Sequence, residues 1–274
     1  MSLLPATIVP DIDGLICAFE LAPLVRRGRD LLVDDVLPQR LWMHFNLSNG
    51  RTQQWLQRDE RISEEARAFL LDSESRSRVE PCGEAFGVVL GDLHHDFDSD
   101  PEGFGPLRLF VSEHLLISAR THPLRTPDLV RRDLLAGLNP GCTISLFEHF
   151  VRRLAETFAT VVANLGEAVD DAEDRVLGGQ LDLGGRRLGS IRRLLARLRR
   201  HINGNRTALA RLPTQLPEWC DADQRRSVRE AIERLATIAQ DLDLVQERAR
   251  LLQEEIAGRV GEATNRNLYL LSIM

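Results

Sequence analysis

The stretch DADQRRSVREAIERLATIAQDLDLVQERARLLQEEIAGRVGEATNRNLYLLSIM, residues 221–274, decides the architecture. Asp221 with Gln224 three positions on is a capping-box pattern, in which each side chain satisfies the other residue's backbone N–H. Nothing after it stops a helix: there is no proline, and Gly258 and Gly261 are only weak points. Val228, Ile232, Leu235, Ile238, Leu242, Val245, Ala249, Leu252, Ile256, Val260 and Ala263 alternate steps of three and four, the spacing of a coiled-coil or bundle seam. At 1.5 Å per residue the stretch makes a helix roughly 80 Å long, whereas a body built from the residues before it has a radius of gyration of about 17 Å. A helix that outruns its own domain leaves its apolar stripe wet unless sibling helices cover it, so self-association is expected.

The last residues, Leu268 to Met274, are apolar round most of the helix, with Arg266 just before them. Such a turn is either tucked into an oligomer core or the start of a transmembrane helix, and composition alone leaves both open. Working back along the chain, Phe147, Phe150, Leu154, Phe158, Val161, Val162, Leu165 and Val169 predict a helix over 143–177, ended by Gly178-Gly179. After a glycine-containing link, Ile191, Leu194, Leu195, Leu198 and Ile202 carry a second helix toward Leu212, where Pro213 and Pro217 stop it. Two antiparallel arms are implied.

The character changes near residue 140. Leu41–Leu47, Glu84–Leu93, Leu107–Val111 and Leu115–Arg120 read as strands, with Ser112-Glu113 as a tight turn between the last two. Residues 51–58 and 63–71 have helical spacing, and Thr126-Pro127-Asp128 is a helix start with Thr126 as cap and Pro127 at the first helical position. The fold class expected is α+β: an α/β/α layered domain with a mixed sheet over 1–140, two antiparallel helical arms over 141–220, and a very long C-terminal stalk helix over 221–274.

With 274 residues, 43% apolar and 28% charged, the composition is that of a folded chain and excludes long disorder. No run reaches the eighteen or so apolar residues of a membrane span, and residues 1–10 lack the basic start of a signal peptide, so the chain as it stands reads as soluble and cytosolic. All 35 basic residues are Arg, against 41 acidic ones, giving a net charge of -6. An acidic total argues against nucleic acid as the main partner and is compatible with cations. Cys17, Cys82, Cys142 and Cys220 form no CxxC pair, which supports neither a zinc ribbon nor a disulfide framework.

Asp92, His94, His95, Asp96, Asp98, Asp100 and Glu102 form a dense run of imidazole and carboxylate groups suited to zinc or a similar metal, with His94, His95 and Asp96 as its candidate ligands; a solvated loop is the competing reading. Gly184 to Gly189 lacks the glycine spacing of a phosphate cradle and reads as a linker. Arg186 to Arg200 holds seven arginines without an acid or an aromatic, a charged helix face that the Glu167–Asp174 cluster can neutralise. No GxSxG, HExxH or nucleotide fingerprint occurs, and no resident cofactor is implied.

Trp42-Met43-His44-Phe45-Asn46 followed by Trp55-Leu56, then Glu74-Ser75-x-x-Arg78-Val79 with Gly83-Glu84 entering a strand, resemble the cytoplasmic domain of the CorA superfamily of divalent-cation transporters, more closely its ZntB-like zinc branch. The resemblance continues through the hairpin 107–120, Glu173-Asp174-x-x-Leu177, Leu194 to Arg200, and Asn265-Arg266 with Leu270, Leu271 and Ser272, covering roughly residues 40–274 with a plausible first strand near Leu15 to Phe19. It implies a homopentamer at the cytoplasmic face of the inner membrane, five stalk helices forming a funnel that runs into transmembrane segments beyond Met274. It further implies Asn265 as a polar pore-facing position and Leu268 and Leu271 as apolar ones after it. Glu254, eleven residues before Asn265 and so three turns below, falls near the same face. The transported ion is expected to be a divalent cation, zinc ahead of magnesium, cobalt or nickel. A soluble coiled-coil interaction protein is the alternative, and an enzyme built on the acidic-histidine run has only that run in its favour, so a non-enzyme is expected.

Overall fold

The computed structural model describes residues 14–21, 40–96 and 103–273. Six strands, β1 (Leu15–Glu20), β2 (Leu41–Asn46), β3 (Arg78–Cys82), β4 (Ala85–Leu93), β5 (Phe104–Val111) and β6 (Leu115–Arg120), form one sheet in the order β1-β2-β6-β5-β4-β3. The β2–β6 pair is parallel, with Leu41 opposite Leu115 and Asn46 opposite Arg120, and the other pairs are antiparallel, so the sheet is mixed as expected. The edge strand β3 was not legible in the sequence, because Arg78, Glu80 and Pro81 give it no apolar alternation. Gly83 supplies the positive φ, 63°, at the first position of the two-residue turn between Cys82 and Ala85.

Side chains of β2 alternate between two apolar layers. Leu41, Met43 and Phe45 join Leu56, Ile62, Ala66, Phe69 and Leu70 from α1 (Gly50–Arg58) and α2 (Glu64–Leu71) in one core. Trp42 points the other way, edge-on to Phe150 at 5.5 Å, while Phe86 meets Phe147 at 5.2 Å. Phe147 and Phe150 belong to α4 (Thr143–Leu177), and α3 (Arg125–Leu135) packs on β4 on the way to it. Helices thus cover both faces of the sheet.

Several buried polar side chains of this body have named partners, although among the described residues Arg108 Nε has none. Ser118 Oγ accepts from Trp42 Nε1 at 2.8 Å and lies 2.7 Å from His44 Nδ1; burial pushes the His44 imidazole down to about 3, so it is neutral at physiological pH. Asn205, fully buried, donates to Gly91 O and accepts from Gly91 N, both at 2.8 Å, and accepts from Ser77 Oγ at 2.9 Å. Its amide takes the place of a strand residue where β3 is too short to pair. Arg108, 4% exposed, donates to the carbonyls of Asp72 and Glu74, and Arg78 pairs with Asp72 and Glu80 across the same loop. That loop carries the Glu74-Ser75-x-x-Arg78-Val79 motif.

Three local expectations are corrected. Thr126 does not cap α3: the helix starts at Arg125, and the buried Asp92 of β4 reaches over to accept from Thr126 N at 3.0 Å and Thr126 Oγ1 at 2.9 Å. The β5–β6 turn closes across Glu113-His114, with Ser112 N donating to Leu115 O at 2.9 Å, one residue later than expected. The glycine-containing link is helical, since α5 spans Leu181–Leu209 and includes Gly184, Gly185 and Gly189. Beside Gly185 the nearest atom to an added Cβ is Ile256 Cγ2 at 3.9 Å. Three glycines lower the helix propensity of this segment without breaking it.

The first arm matches its expected bounds, residues 143–177, and ends in a Schellman-type stop: Gly178 N, Gly179 N and Gln180 N donate to Asp174 O, Val176 O and Arg175 O, with φ of Gly179 at 82°. After the one-turn α6 (Leu212–Gln215), α7 runs unbroken from Ala222 to Ile273, 52 residues. Its start is the expected capping box, Asp221 N to Gln224 Oε1 at 3.0 Å and Gln224 N to Asp221 Oδ1 at 2.8 Å. The chain divides into two compact units, Met1–Ala155 with Asn203–Leu235, and Glu156–Ile202 with Ala236–Met274.

Candidate functional site

In the second unit, the inner face of α7 is formed by Ile238, Ala239, Leu242, Ala249 and Leu252, all buried. Val245 meets the backbone of α4 at Gly166, where an added Cβ would lie 3.7 Å from Val245 Cγ2. Arg248 pairs with Asp170 and Glu173 of α4, Arg259 donates to Val176 O at 3.1 Å, and Arg199 of α5 lies 3.3 Å from Asp243. Arg187 reaches Asp171 at 3.2 Å, so the acidic cluster on the first arm does meet the arginine-rich segment. The seam loses its cover toward the C-terminus: Ile256 is half-buried and Val260 is 46% exposed.

The opposite face of α7 is the candidate site. Leu244 and Leu251, 66% and 51% exposed, lie one heptad apart, with Glu247 and Glu254 offset from them by three residues. Arg250 sits between the two carboxylates, donating to Glu247 Oε2 at 3.0 Å and Oε1 at 2.6 Å and pairing with Glu254 Oε1. Its guanidinium lowers the Glu247 carboxyl below its ordinary range, and the two carboxylates raise Arg250 in return. Two acids to one base leave this patch net negative. The i, i+3 and i, i+4 spacing that makes the trio was present in the sequence, and a count of acids alone passes over it.

Asn265 is exposed, and at 100° per residue it lies about 20° round the helix from Glu254. Leu268 is 59% exposed and lies about 60° round from Asn265. The side chain of Leu271 is outside the described residues.

His94, His95 and Asp96 follow the end of β4. His94 lies against the backbone of Gly103 and Gly105 and meets the His122 ring at a tilt, ring centres 5.1 Å apart, whereas His95 Nδ1 turns to Asp128 Oδ2 at 3.8 Å. Asp92 of the same run is buried in the α3 cap, and burial pushes its carboxyl up to about 6. Asp98, Asp100 and Glu102 are outside the described residues. Among the described residues no three His, Cys, Asp or Glu side chains converge on a point that would hold a metal ion. All four cysteines are free thiols. Among the described residues no helix is long and apolar enough to cross a membrane.

Comparison with known proteins places these features. The family described as "CorA-like Mg2+ transporter protein" matches residues 39–274. The chain is 29% identical over 253 residues to the divalent cation transporter CmaX of Pseudomonas aeruginosa, covering 91% of this chain and 76% of that protein. It is 26% identical over 236 residues to the zinc transport protein ZntB of Yersinia enterocolitica, covering 86% and 72%. Among solved structures, full-length CmaX superposes with a TM-score of 0.83 at 28% identity, over 96% of this chain and 83% of that one. The ZntB cytoplasmic domain from Vibrio parahaemolyticus superposes with a TM-score of 0.77 at 17% identity, over 91% and 99%, a likeness of fold.

Proposed function

The chain belongs to the CorA-like divalent-cation transporter family, and from that premise we propose that it forms the cytoplasmic funnel of a homopentameric transporter whose cargo is zinc. The ion path runs between five copies of α7, past Glu254 and Asn265 and through a constriction at Leu268 and Leu271. The assembly sits at the cytoplasmic face of the membrane and is anchored through segments beyond Met274. Nucleic acid has no part in it, and no enzymatic step is required.

The observation that carries the reading is the outer face of α7, where Leu244 and Leu251 stay exposed at heptad spacing on a helix whose inner face is already filled by its own chain. Apolar residues in that register call for a second set of helices. Five copies round one axis cover them and bring together five Glu247–Arg250–Glu254 trios, each with one carboxylate in excess, a field that concentrates hydrated dications without binding them tightly. Exclusion of water at a ring of leucines supplies a gate. Zinc is favoured over magnesium because a zinc transport protein is among the relatives matched over most of this chain.

The test is zinc uptake into liposomes holding the membrane-embedded protein, with the oligomer counted by native mass spectrometry. Five subunits per particle and at least a fivefold loss of uptake in Asn265→Leu are expected. Another subunit number, or uptake unchanged in that variant, overturns the pore assignment, and uptake of magnesium alone overturns the choice of ion.

A further inference from the structure

Away from α7, the first unit carries a groove of ≈ 530 Å³. Its floor is Val79, Ala85 and Phe86 at the β3–β4 hairpin, and its wall is Leu212, Pro217 and Trp219. Glu84, Glu113 and Glu218 stand on its rim. The size is that of a site for a small organic molecule.

The wall is fixed in place. Trp219 Nε1 donates to Glu84 O at 2.7 Å, which leaves the indole faces free of any polar demand. Beneath the loop, Arg225 donates to Leu216 O at 2.9 Å, Pro217 O at 2.6 Å and Cys220 O at 3.0 Å, so the segment that bears Glu218 and Trp219 is tied at three carbonyls. Among the described residues neither Glu84 nor Glu218 pairs with a basic side chain, and Glu113 has only His114, at 3.7 Å. Pro81 removes an N–H from the edge strand beside the groove, which disfavours an added β-strand as occupant.

We propose that this groove binds a small organic cation with an apolar stem, an alkylguanidinium or alkylammonium, its stem on Val79 and Phe86, its charge between Glu84 and Glu218 and against the Trp219 indole. An inorganic dication does not meet these requirements, since it gains nothing from an apolar floor, whereas a cation with a hydrocarbon body uses the floor, the ring face and the carboxylates together. The groove is lined wholly by residues of the first unit, so the proposal does not rest on the pore assignment.

Butylguanidinium titrated into the purified chain tests it, read by the indole N–H proton resonance of Trp219, assigned with Trp219→Phe. Two probes serve as comparisons: butylurea, the same shape without the charge, and guanidinium, the same charge without the stem. A saturable shift is expected, with either comparison probe at least tenfold weaker and at least a tenfold loss in Glu84→Gln/Glu218→Gln. Both substitutions are on exposed side chains, and an unchanged Trp42 resonance reports that the fold is intact. No saturable shift up to 10 mM (roughly the weakest useful small-ligand affinity), equal binding of butylurea, or an unaffected double variant overturns the proposal.

Discussion

In the sheet, Trp42, His44 and Ser118 are buried and close hydrogen bonds on one another, whereas on the outer face of α7 Glu247, Arg250, Glu254 and Asn265 stand in solvent. Both regions carry residues of the family resemblance, and they do different work. The sheet residues are unusual types held at buried positions, so each is specified by several neighbours at once. The α7 residues stand in solvent and have few constraints within one chain. A family pattern read along the first region therefore reports fold, and along the second, on the function proposed above, it is expected to report assembly and ion path.

The strongest way to break this contrast is Trp42→Ala. The ring is fully buried, stacks on Phe19 at 5.4 Å and meets Phe150 edge-on, so truncation is expected to cost about 3–5 kcal/mol in urea unfolding. A loss below about 1 kcal/mol means the sheet region is not specified as described.

Next in size is a pH effect at Asp92. Its folded pKa, about 6, lies above the ordinary 3.8, so the native state holds the proton more tightly than the unfolded chain. Stability from this group is full below about pH 4 and falls as pH rises through about 6, by about 3 kcal/mol. Asp133 acts the other way: burial works to raise its carboxyl, but hydrogen bonds with Arg153 and His149 outweigh that and lower it, so its contribution is lost as pH falls below about 4. The difference between the wild type and Asp92→Asn, measured at pH 4 and at pH 7, isolates the first effect, and parallel profiles refute it.

The finest test uses two neighbours on α7. Leu252 is 5% exposed and Leu251 51%. Leu252→Gln is expected to cost about 2 kcal/mol and Leu251→Gln less than about 0.5 kcal/mol in the isolated chain, while only Leu251→Gln weakens self-association in sedimentation. Equal costs would mean that the outer stripe is already covered within one subunit.

Much of this was legible in the sequence because it rests on local periodicity. The 3–4 spacing of α4 and α7, the glycine stop after Leu177 and the Asp221–Gln224 box each concern residues within a few turns of one another. What escaped depends on distant partners. Strand β3 exists because β4 offers Arg78 to Cys82 a ladder, not because its residues favour a strand. Thr126 has the look of a cap, yet the acceptor that serves the helix is Asp92, 34 residues earlier. Gly184 to Gly189 reads as a linker, yet the segment is helical, with Gly185 beside Ile256. At the candidate site the helical face was legible and the Arg250 pairing was available from spacing. The groove was not, since it draws on residues 79–86, 113 and 212–219 together.

The arginine struts have one more consequence. Arg108 spans two backbone carbonyls and Arg225 spans three, a reach that an ammonium group lacks. With no lysine in the chain, acylating dyes find no side-chain amine to modify. Dicarbonyl reagents such as phenylglyoxal condense with guanidinium groups instead; exposed arginines are expected to react first, and Arg108, buried beneath the loop at 72–75, only once that loop opens.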